Sequence, residues 1–200
     1  MSDKELSLRD RILEISRHYV YTEGHASLSM RKIAKEVGVT ATSIYLHFEN
    51  KDDLIHTLIE ESADELSMAI IESADQHTST IDKFEAIIRS YADFALSNPE
   101  KYQIIFTVQA NSIARYPKEK FRKIRKVYAL LESVILKGID EDIMELDEPL
   151  IAAYSIWAQM HGVIAVILNQ RLDSRIDRKK FLEESIEHIV QGFLIRITTI

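Results

Sequence analysis

The sequence predicts an all-α protein of about nine helices. Glycine and proline are scarce, with five and three among 200 residues, which disfavours a turn-rich all-β fold. No stretch shows a sustained alternation of apolar and polar residues, so no strand is predicted. The glycines expected to cap helix C-termini are Gly24, Gly38 and Gly138. The prolines expected near helix starts are Pro99, Pro117 and Pro149.

These glycines and prolines, together with capping residues, predict where the individual helices begin and end. Ser7 is the expected N-cap of the first helix, and Asp10 completes a pattern similar to a capping box. Ser29 and Thr40 are good N-caps for two short helices that come next. The later helices are longer, and no linker rich in proline or serine divides them. The nine predicted ranges are 8–23, 30–37, 41–47, 51–74, 81–97, 99–108, 117–137, 148–172 and 178–197.

Composition excludes several kinds of site. The chain has no cysteine, which rules out disulfides, thiolate metal sites and cysteine nucleophiles. No histidine has a second one three or four residues away, so no metal is expected, and no cofactor motif is present. The chain also lacks a glycine-rich phosphate loop and a nucleophile elbow, so an enzyme is not predicted. The longest strongly apolar stretch, 162–168, is far shorter than a membrane span, and without a signal peptide a cytoplasmic location is expected.

The net charge of −7 excludes a basic coat over the whole protein. Residues 1–56 are nearly balanced, with eight Lys and Arg against nine Asp and Glu, and most of the acidity lies further along the chain. Any contact with nucleic acid must therefore come from a small local patch.

The segment 29–48 has the spacing of a helix-turn-helix. Ala34 is small and lets a second helix cross closely above it. Gly38 follows four residues later, where the chain must turn and a positive φ is easiest for glycine. Ile44, ten residues after Ala34, points back into the angle between the two helices. We therefore predict a three-helix domain over residues 1–50, followed by a helical domain over residues 51–200.

The second helix of this motif enters the major groove of DNA in known complexes. Its small hydroxyl and methyl groups suit hydrogen bonds to bases or phosphates and contacts with thymine. An amphipathic helix pair without a DNA role is the less favoured alternative. For Arg31 a solvated surface position is an equal alternative, and Tyr45 is expected both to cover the core and to contact DNA. The candidate DNA-binding residues are Arg31, Thr40, Ala41, Thr42, Ser43, Tyr45, His47 and Lys51.

The run GVTATSIYLHFENKDDLI, residues 38–55, resembles the DNA-binding signature of tetracycline-repressor (TetR) family regulators. The matching positions include Gly38, Tyr45, His47 and Lys51, whereas Ser16 replaces the alanine usual in the first helix. The resemblance implies an all-α homodimer that binds a palindromic operator and usually represses transcription until an inducer binds the C-terminal domain. It also implies roles for the individual residues. Phosphate contacts are implied for Thr40, Tyr45, His47 and Lys51, and contacts with bases for Arg31, Ala41, Thr42 and Ser43.

The C-terminal helices carry two further predictions. A stripe of mostly small residues near Trp157, with apolar residues of the last helix, predicts a four-helix bundle across a two-fold axis. Packing within one chain is the alternative for this stripe. The predicted dimer-interface residues are Ile151, Ser155, Ala158, Gly162, Ala165, Ile189 and Phe193. The run from Trp157 to Gly162 also resembles a subgroup of the family with a Trp…His-Gly signature.

A small-molecule pocket is predicted among helices five to eight, because aromatic side chains with a few polar tips are typical of such sites. Plain core packing is the alternative for each of them, and a hydrogen-bonded core position is the alternative for His161. The aromatic content favours an apolar or aromatic ligand and leaves an anionic group open. The candidate ligand-binding residues are Tyr91, Phe94, Tyr102, Phe106, Gln109, Tyr154, Trp157 and His161.

The sequence thus predicts a ligand-responsive, DNA-binding transcription regulator, foremost a homodimeric repressor. Two alternatives stay open. One is a DNA-binding activator that senses no ligand, which a C-terminal domain without a cavity would favour. The other is a helical protein-interaction module, which a monomer without DNA sequence preference would favour.

Overall fold

The computed structural model describes residues 6–107 and 122–194, and all the regular structure in those ranges is helical. Nine α-helices and one short 3₁₀ helix, His25–Ser27, occupy these ranges. The predicted all-α fold is therefore confirmed. The helices are α1 Leu8–Glu23, α2 Met30–Val37, α3 Ala41–Tyr45, α4 Lys51–Asp75, α5 Thr80–Ser97, α6 Pro99–Thr107, α7 Arg122–Asp140, α8 Pro149–Leu168 and α9 Arg178–Phe193.

Side-chain caps fix where several helices begin. The side chains of Ser7, Ser29 and Thr40 each accept a hydrogen bond at 3.2 Å from the backbone N–H three residues later. The three predicted N-caps are thus confirmed. Asp177 caps α9 in the same way, through a 2.8 Å bond from the backbone N–H of Lys180. These bonds satisfy N–H groups that have no partner within a helix.

Gly138 corrects one prediction. It does not cap the C-terminus of α7 but lies inside that helix, which continues to Asp140. Its carbonyl accepts hydrogen bonds from the backbone N–H groups of Ile143 and Met144, at 2.9 and 3.0 Å. A Cβ at position 138 would lie 2.8 Å from Met144 Sδ. The glycine therefore allows the chain beyond α7 to fold back closely against the helix.

Backbone packing divides the chain into two compact units. The first unit contains Met1–Ala63 and Asn98–Lys120, and the second contains Asp64–Ser97 and Phe121–Ile200. Helix α4 contributes residues to both units, and α6 belongs to the first. The functional division expected at residue 50 stays a prediction, because packing units and functional domains need not coincide.

The core of the first unit is formed where α1, α2, α3, the start of α4 and α6 meet. Ile12, Ile33, Ile44 and Leu54 are fully buried there, and Ile104 brings α6 into the same cluster. Burial of such side chains contributes roughly 1.5–3 kcal/mol each relative to exposure. This core fixes the position of the short helix α3, which has too few residues to be stable alone.

The second unit packs α5, α7, α8 and α9 around its own core. Helix α8 contacts α5, α7 and α9, and its Ile156 and Ile164 are buried at those contacts. Phe84 of α5 is fully buried and lies edge-on to Phe193 of α9, with ring centroids 6.4 Å apart.

Helix α8 is more apolar than the short stretch 162–168 suggested. Its 18-residue window has a mean hydropathy of 1.6, so by length and composition this helix, Pro149–Leu168, is long and apolar enough to cross a membrane. Only a third of that window is buried within the protein. A helix that packs on its own core on one side and on a partner on the other has the same composition.

Candidate DNA-binding site and ligand site

The turn between α2 and α3 has the predicted glycine geometry. Gly38 adopts the left-handed conformation, with φ 82° and ψ 32°. Ala34 O accepts hydrogen bonds from the N–H groups of Gly38 and Val39, at 3.0 and 2.9 Å. From α1, Arg11 Nη2 donates a 2.6 Å bond to Val37 O at the end of α2. The turn is thus held by its own backbone hydrogen bonds and by Arg11 of α1, which together set the angle between α2 and α3.

Helix α3 buries one face and exposes the other. Ile44 is fully buried, whereas Thr40, Thr42 and His47 are exposed and Tyr45 is 53% exposed. Ala41 and Ser43 are half-buried. The structure therefore presents this candidate set on one short helix and its flanks, with a surface that a major groove can cover. That these residues contact DNA stays a prediction.

Leu46 is a surface residue of this face that sequence reasoning missed. It directly follows α3 and is 81% exposed, the highest value among the exposed large apolar side chains described. Ile44 and Phe48, four residues apart, are both buried. Leu46 falls midway between them, so helical spacing directs it away from the core. The position of Leu46 between two apolar residues four apart was the feature of the sequence from which its exposure could have been predicted.

The hydroxyl groups at the start of α3 are engaged with each other. Thr40 Oγ1 accepts the N–H of Ser43 and lies 2.9 Å from Ser43 Oγ. Both side chains therefore stabilise the helix start. This arrangement leaves Thr42, exposed on the same helix, as the hydroxyl best placed for base edges.

The cations near α3 come from the flanking helices, because α3 itself carries no charged residue. Arg31 is exposed at the start of α2. Lys51 is half-buried at the start of α4, and its Nζ donates to Ala26 O at 3.1 Å. Lys32 by contrast pairs with Glu23 at 2.7 Å and lies 4.2 Å from the Tyr19 ring centroid. Arg31 and Lys51 are thus the better placed of these three cations for phosphates.

The first unit gathers negative charge in a groove formed by α1, α2 and α6. Glu14, Glu23, Glu36 and Glu100 line this groove. His18 Nδ1 lies 3.3 Å from Glu100 Oε1 at the same place. A surface with four carboxylates repels the DNA backbone, so the electrostatics favour the face around α3 for DNA.

The second unit contains a small cavity with aromatic walls. Its volume is about 30 Å³, and three of its ten lining residues are aromatic, namely Tyr91, Tyr128 and Trp157. The other seven are aliphatic residues or methionine. The Tyr128 ring stacks on Tyr154 with centroids 4.3 Å apart, and it meets Trp157 edge-on at 5.8 Å. His161 stacks on Trp157 at 5.3 Å.

Of the predicted ligand residues, Tyr91 and Trp157 line the cavity, and Tyr154 and His161 stack on rings that line it. Tyr128 is the lining aromatic that the candidate set lacked. Tyr91 Oη lies 3.5 Å from His161 Nδ1, at the outer limit of a hydrogen bond. Burial lowers the pKa of His161 below 6.5 and raises the pKa of Tyr128. Both side chains are therefore neutral at pH 7.

The other four predicted ligand residues are not brought to this cavity. Phe94 is buried in the second unit but does not line the cavity. Tyr102 and Phe106 belong to the first unit, where their ring centroids lie 4.9 Å apart. Gln109 lies outside the described residues. Their roles in ligand binding stay predictions.

The predicted dimer stripe on α8 is open to solvent. Ile151 is 65% exposed, Ser155, Ala158 and Gly162 are also exposed, and Ala165 is half-buried. The two residues proposed from α9 differ. Ile189 is buried within the chain, and Phe193 contacts Phe84. These two residues already pack within the same chain, so the exposed part of the predicted dimer interface lies mainly on α8.

Two family models match the chain. Residues 12–58 match the model described as bacterial regulatory proteins of the tetR family. Residues 84–190 match a tetracyclin repressor-like C-terminal domain. The second match alone spans more than half of the chain, and together the two include α3 and nine of the ten residues that line the cavity.

Solved structures show the same fold at low sequence identity. A TetR family regulator from Shewanella sp. PV-4 is 17% identical with a TM-score of 0.77, covering 96% of this chain and 100% of the other. The fatty acid degradation regulator FadR from Bacillus halodurans is 18% identical with a TM-score of 0.75, covering 94% and 97%. The ketosteroid regulator KstR2 of Mycobacterium tuberculosis is 15% identical with a TM-score of 0.74, covering 98% and 99%.

Proposed function

Because the chain belongs to the TetR family of DNA-binding transcription regulators, which are not enzymes, we propose that it acts as a repressor. In this proposal a homodimer in the cytoplasm occupies a palindromic operator and blocks transcription. A small molecule bound by the second unit releases the operator.

The observation that carries the proposal is the exposed face of α3 on a fixed core. Ile44 and Gly38 hold the helix, while Thr42, Tyr45 and Leu46 are presented to solvent. Short polar and apolar groups on an uncharged helix suit close approach to base edges. Phosphate contacts from Arg31 and Lys51 then set the register on the duplex.

Two copies of α3 are required for a palindromic site. In a dimer the two recognition helices enter major grooves separated by about one helical turn, 34–36 Å, or a multiple of it. The open stripe on α8 is the surface that we assign to the dimer. A molecule that binds one dimer conformation better than the other then changes this separation and lowers operator affinity.

The covalent path from the cavity to the DNA-binding unit is short. Helix α5 lines the cavity through Tyr91, and Asn98 is the one residue between α5 and α6. Ile104 of α6 is part of the core around α1 and α2. In this proposal a shift of α5 on ligand binding reaches α6 through this single linking residue.

Selection of bound duplexes from a random DNA pool, at fixed salt, tests the DNA role of the 200-residue chain. We expect an enriched inverted repeat. With that duplex, Tyr45→Ala and Lys51→Ala are expected to weaken binding, and Lys51→Ala is expected to reduce the salt dependence by about one phosphate contact. Tyr21→Ala is the matched control, because Tyr21 is 38% exposed in the same unit but lies on α1.

Two results would overturn the proposal. Unchanged affinity in both the Tyr45 and Lys51 variants would remove the assigned DNA face. The absence of any enriched sequence, with a monomer in solution, would favour a helical protein-interaction module instead.

A further inference from the structure

We infer that the cavity of the second unit accepts an uncharged aromatic ring, which takes the place of the Tyr128 ring. This inference rests on the proposed function, since it names the chemical class of the inducer.

The cavity as it stands is too small for an aromatic ligand. Its volume is about 30 Å³, whereas a cavity of about 150 Å³ accepts benzene. The surrounding side chains are closely packed, and Ile156 and Met160 are almost fully buried. A ring therefore enters only if a side chain of similar size leaves.

Tyr128 is the side chain best placed to leave. It is half-buried, and the ring against which it stacks, Tyr154, is 45% exposed at the surface of α8. Tyr91 by contrast is 6% exposed. Exchange of the Tyr128 ring for a ligand ring requires no net expansion of the core, and the flexible side chain of Met160 adapts to small differences in shape.

The charge of the walls selects against an anion. All ten described lining residues are uncharged, and Arg125 and Lys126 at the start of α7 are exposed. His161, next to Trp157, is neutral at pH 7 because burial lowers its pKa. A carboxylate moved among these ten described residues would lose its hydration without gaining a cation from any of them, which is strongly unfavourable.

Trp157 gives the site its preference for a flat ring. Its indole meets the Tyr128 ring edge-on, with an interplanar angle of 87°. A ligand ring in the place of Tyr128 keeps this edge-to-face contact, which stabilises the complex beyond burial alone. Trp157 is also the single tryptophan of the chain, so its fluorescence reports directly on this site.

The test compares two probes of nearly equal shape, benzamide and benzoate, which differ by one charge at pH 7. Each is titrated into the 200-residue chain while the fluorescence of Trp157 is recorded. We expect a saturable change with benzamide and at least about tenfold weaker binding of benzoate. Tyr128→Ala is expected to bind benzamide several-fold more tightly, because the place of the ring is then already empty.

Met160→Phe is the blocking variant, because it places a larger, stiffer side chain in the cavity wall. Met68→Phe is its matched control, since Met68 is 58% exposed on α4 of the same unit. We expect the first variant to lose benzamide binding and the second to keep it. A cooperative thermal unfolding transition in both variants, like that of the unchanged protein, shows that each is folded.

Three outcomes would overturn the inference: no saturable response to benzamide, benzoate bound as tightly as benzamide, or benzamide binding retained in Met160→Phe. The proposed function fails separately. If the protein binds its duplex but does not respond to benzamide, the proposed function stands and the proposed ligand site is rejected. If the protein binds benzamide but prefers no duplex, the proposed ligand site stands and the proposed function is rejected.

Discussion

Thr40 Oγ1 accepts a hydrogen bond from the backbone N–H of Ser43 at 3.2 Å and lies 2.9 Å from the Ser43 hydroxyl. The resemblance to the TetR signature implied a phosphate contact for Thr40 and a base contact for Ser43. In the free protein, however, the Thr40 and Ser43 side chains interact with each other. Their first role is to hold the start of a helix that has only five residues.

Thr40→Ala is therefore expected to lower the free energy of unfolding by about 1 kcal/mol, the usual cost of a lost N-cap. Urea unfolding at fixed pH measures the change. Thr40→Ser keeps the oxygen atom and is expected to stay within a few tenths of the original value. Equal stability of the alanine variant and the unchanged protein would show that the cap contributes nothing.

Leu46→Ala is expected to weaken operator binding without loss of stability. The side chain is 81% exposed, so the folded protein loses almost no packing. Covering a leucine with an apolar partner contributes roughly 1.5–3 kcal/mol, so affinity for the selected duplex should fall roughly tenfold or more. Fluorescence anisotropy with labelled duplex measures it.

Leu136→Ala is the control for this variant, because Leu136 is 51% exposed on α7. It is expected to bind the duplex as the unchanged protein does. Equal affinity of the Leu46 and Leu136 variants would remove Leu46 from the DNA face.

The helix-turn-helix was predictable in detail from sequence because its constraints are local. The small residue Ala34, the positive φ of Gly38 and the inward-pointing Ile44 each depend on neighbours within about ten residues. The caps Ser7 and Ser29 depend on only three.

The remaining differences arise from contacts between residues distant in sequence or from close packing. Gly138 looked like a helix end, but its lack of a side chain serves the close approach of Met144. Tyr102 and Phe106 had the right chemistry for a pocket, yet α6 packs in the first unit. Periodicity shows which face of a helix is buried and does not show which helix covers it. Tyr128 was missed as a pocket residue for the same reason.

Ala158→Glu is expected to convert a dimer into a monomer. Ala158 lies in the middle of the exposed small-residue stripe of α8, where close approach of a second helix leaves no room for a carboxylate. Analytical ultracentrifugation at fixed protein concentration measures the mass.

Ala129→Glu makes the same substitution at an exposed position of α7, and it is expected to leave the dimer intact. A dimer that persists in the Ala158 variant would place the two-fold interface elsewhere.

The pH dependence of stability tests the environment of His161, which faces the Trp157 ring and the Tyr91 hydroxyl. Burial lowers its pKa below 6.5 in the folded protein, so below that pH the unfolded chain binds the proton more readily. The contribution of His161 to the free energy of unfolding is therefore fully present above pH 6.5. It decreases as the pH falls from 6.5 through the lowered pKa. His161→Gln is expected to show a smaller fall in thermal stability across this range than the unchanged protein. His188→Gln, at an exposed position of α9, is expected to keep the full fall, and identical curves for both variants would place the pH response outside the aromatic cluster.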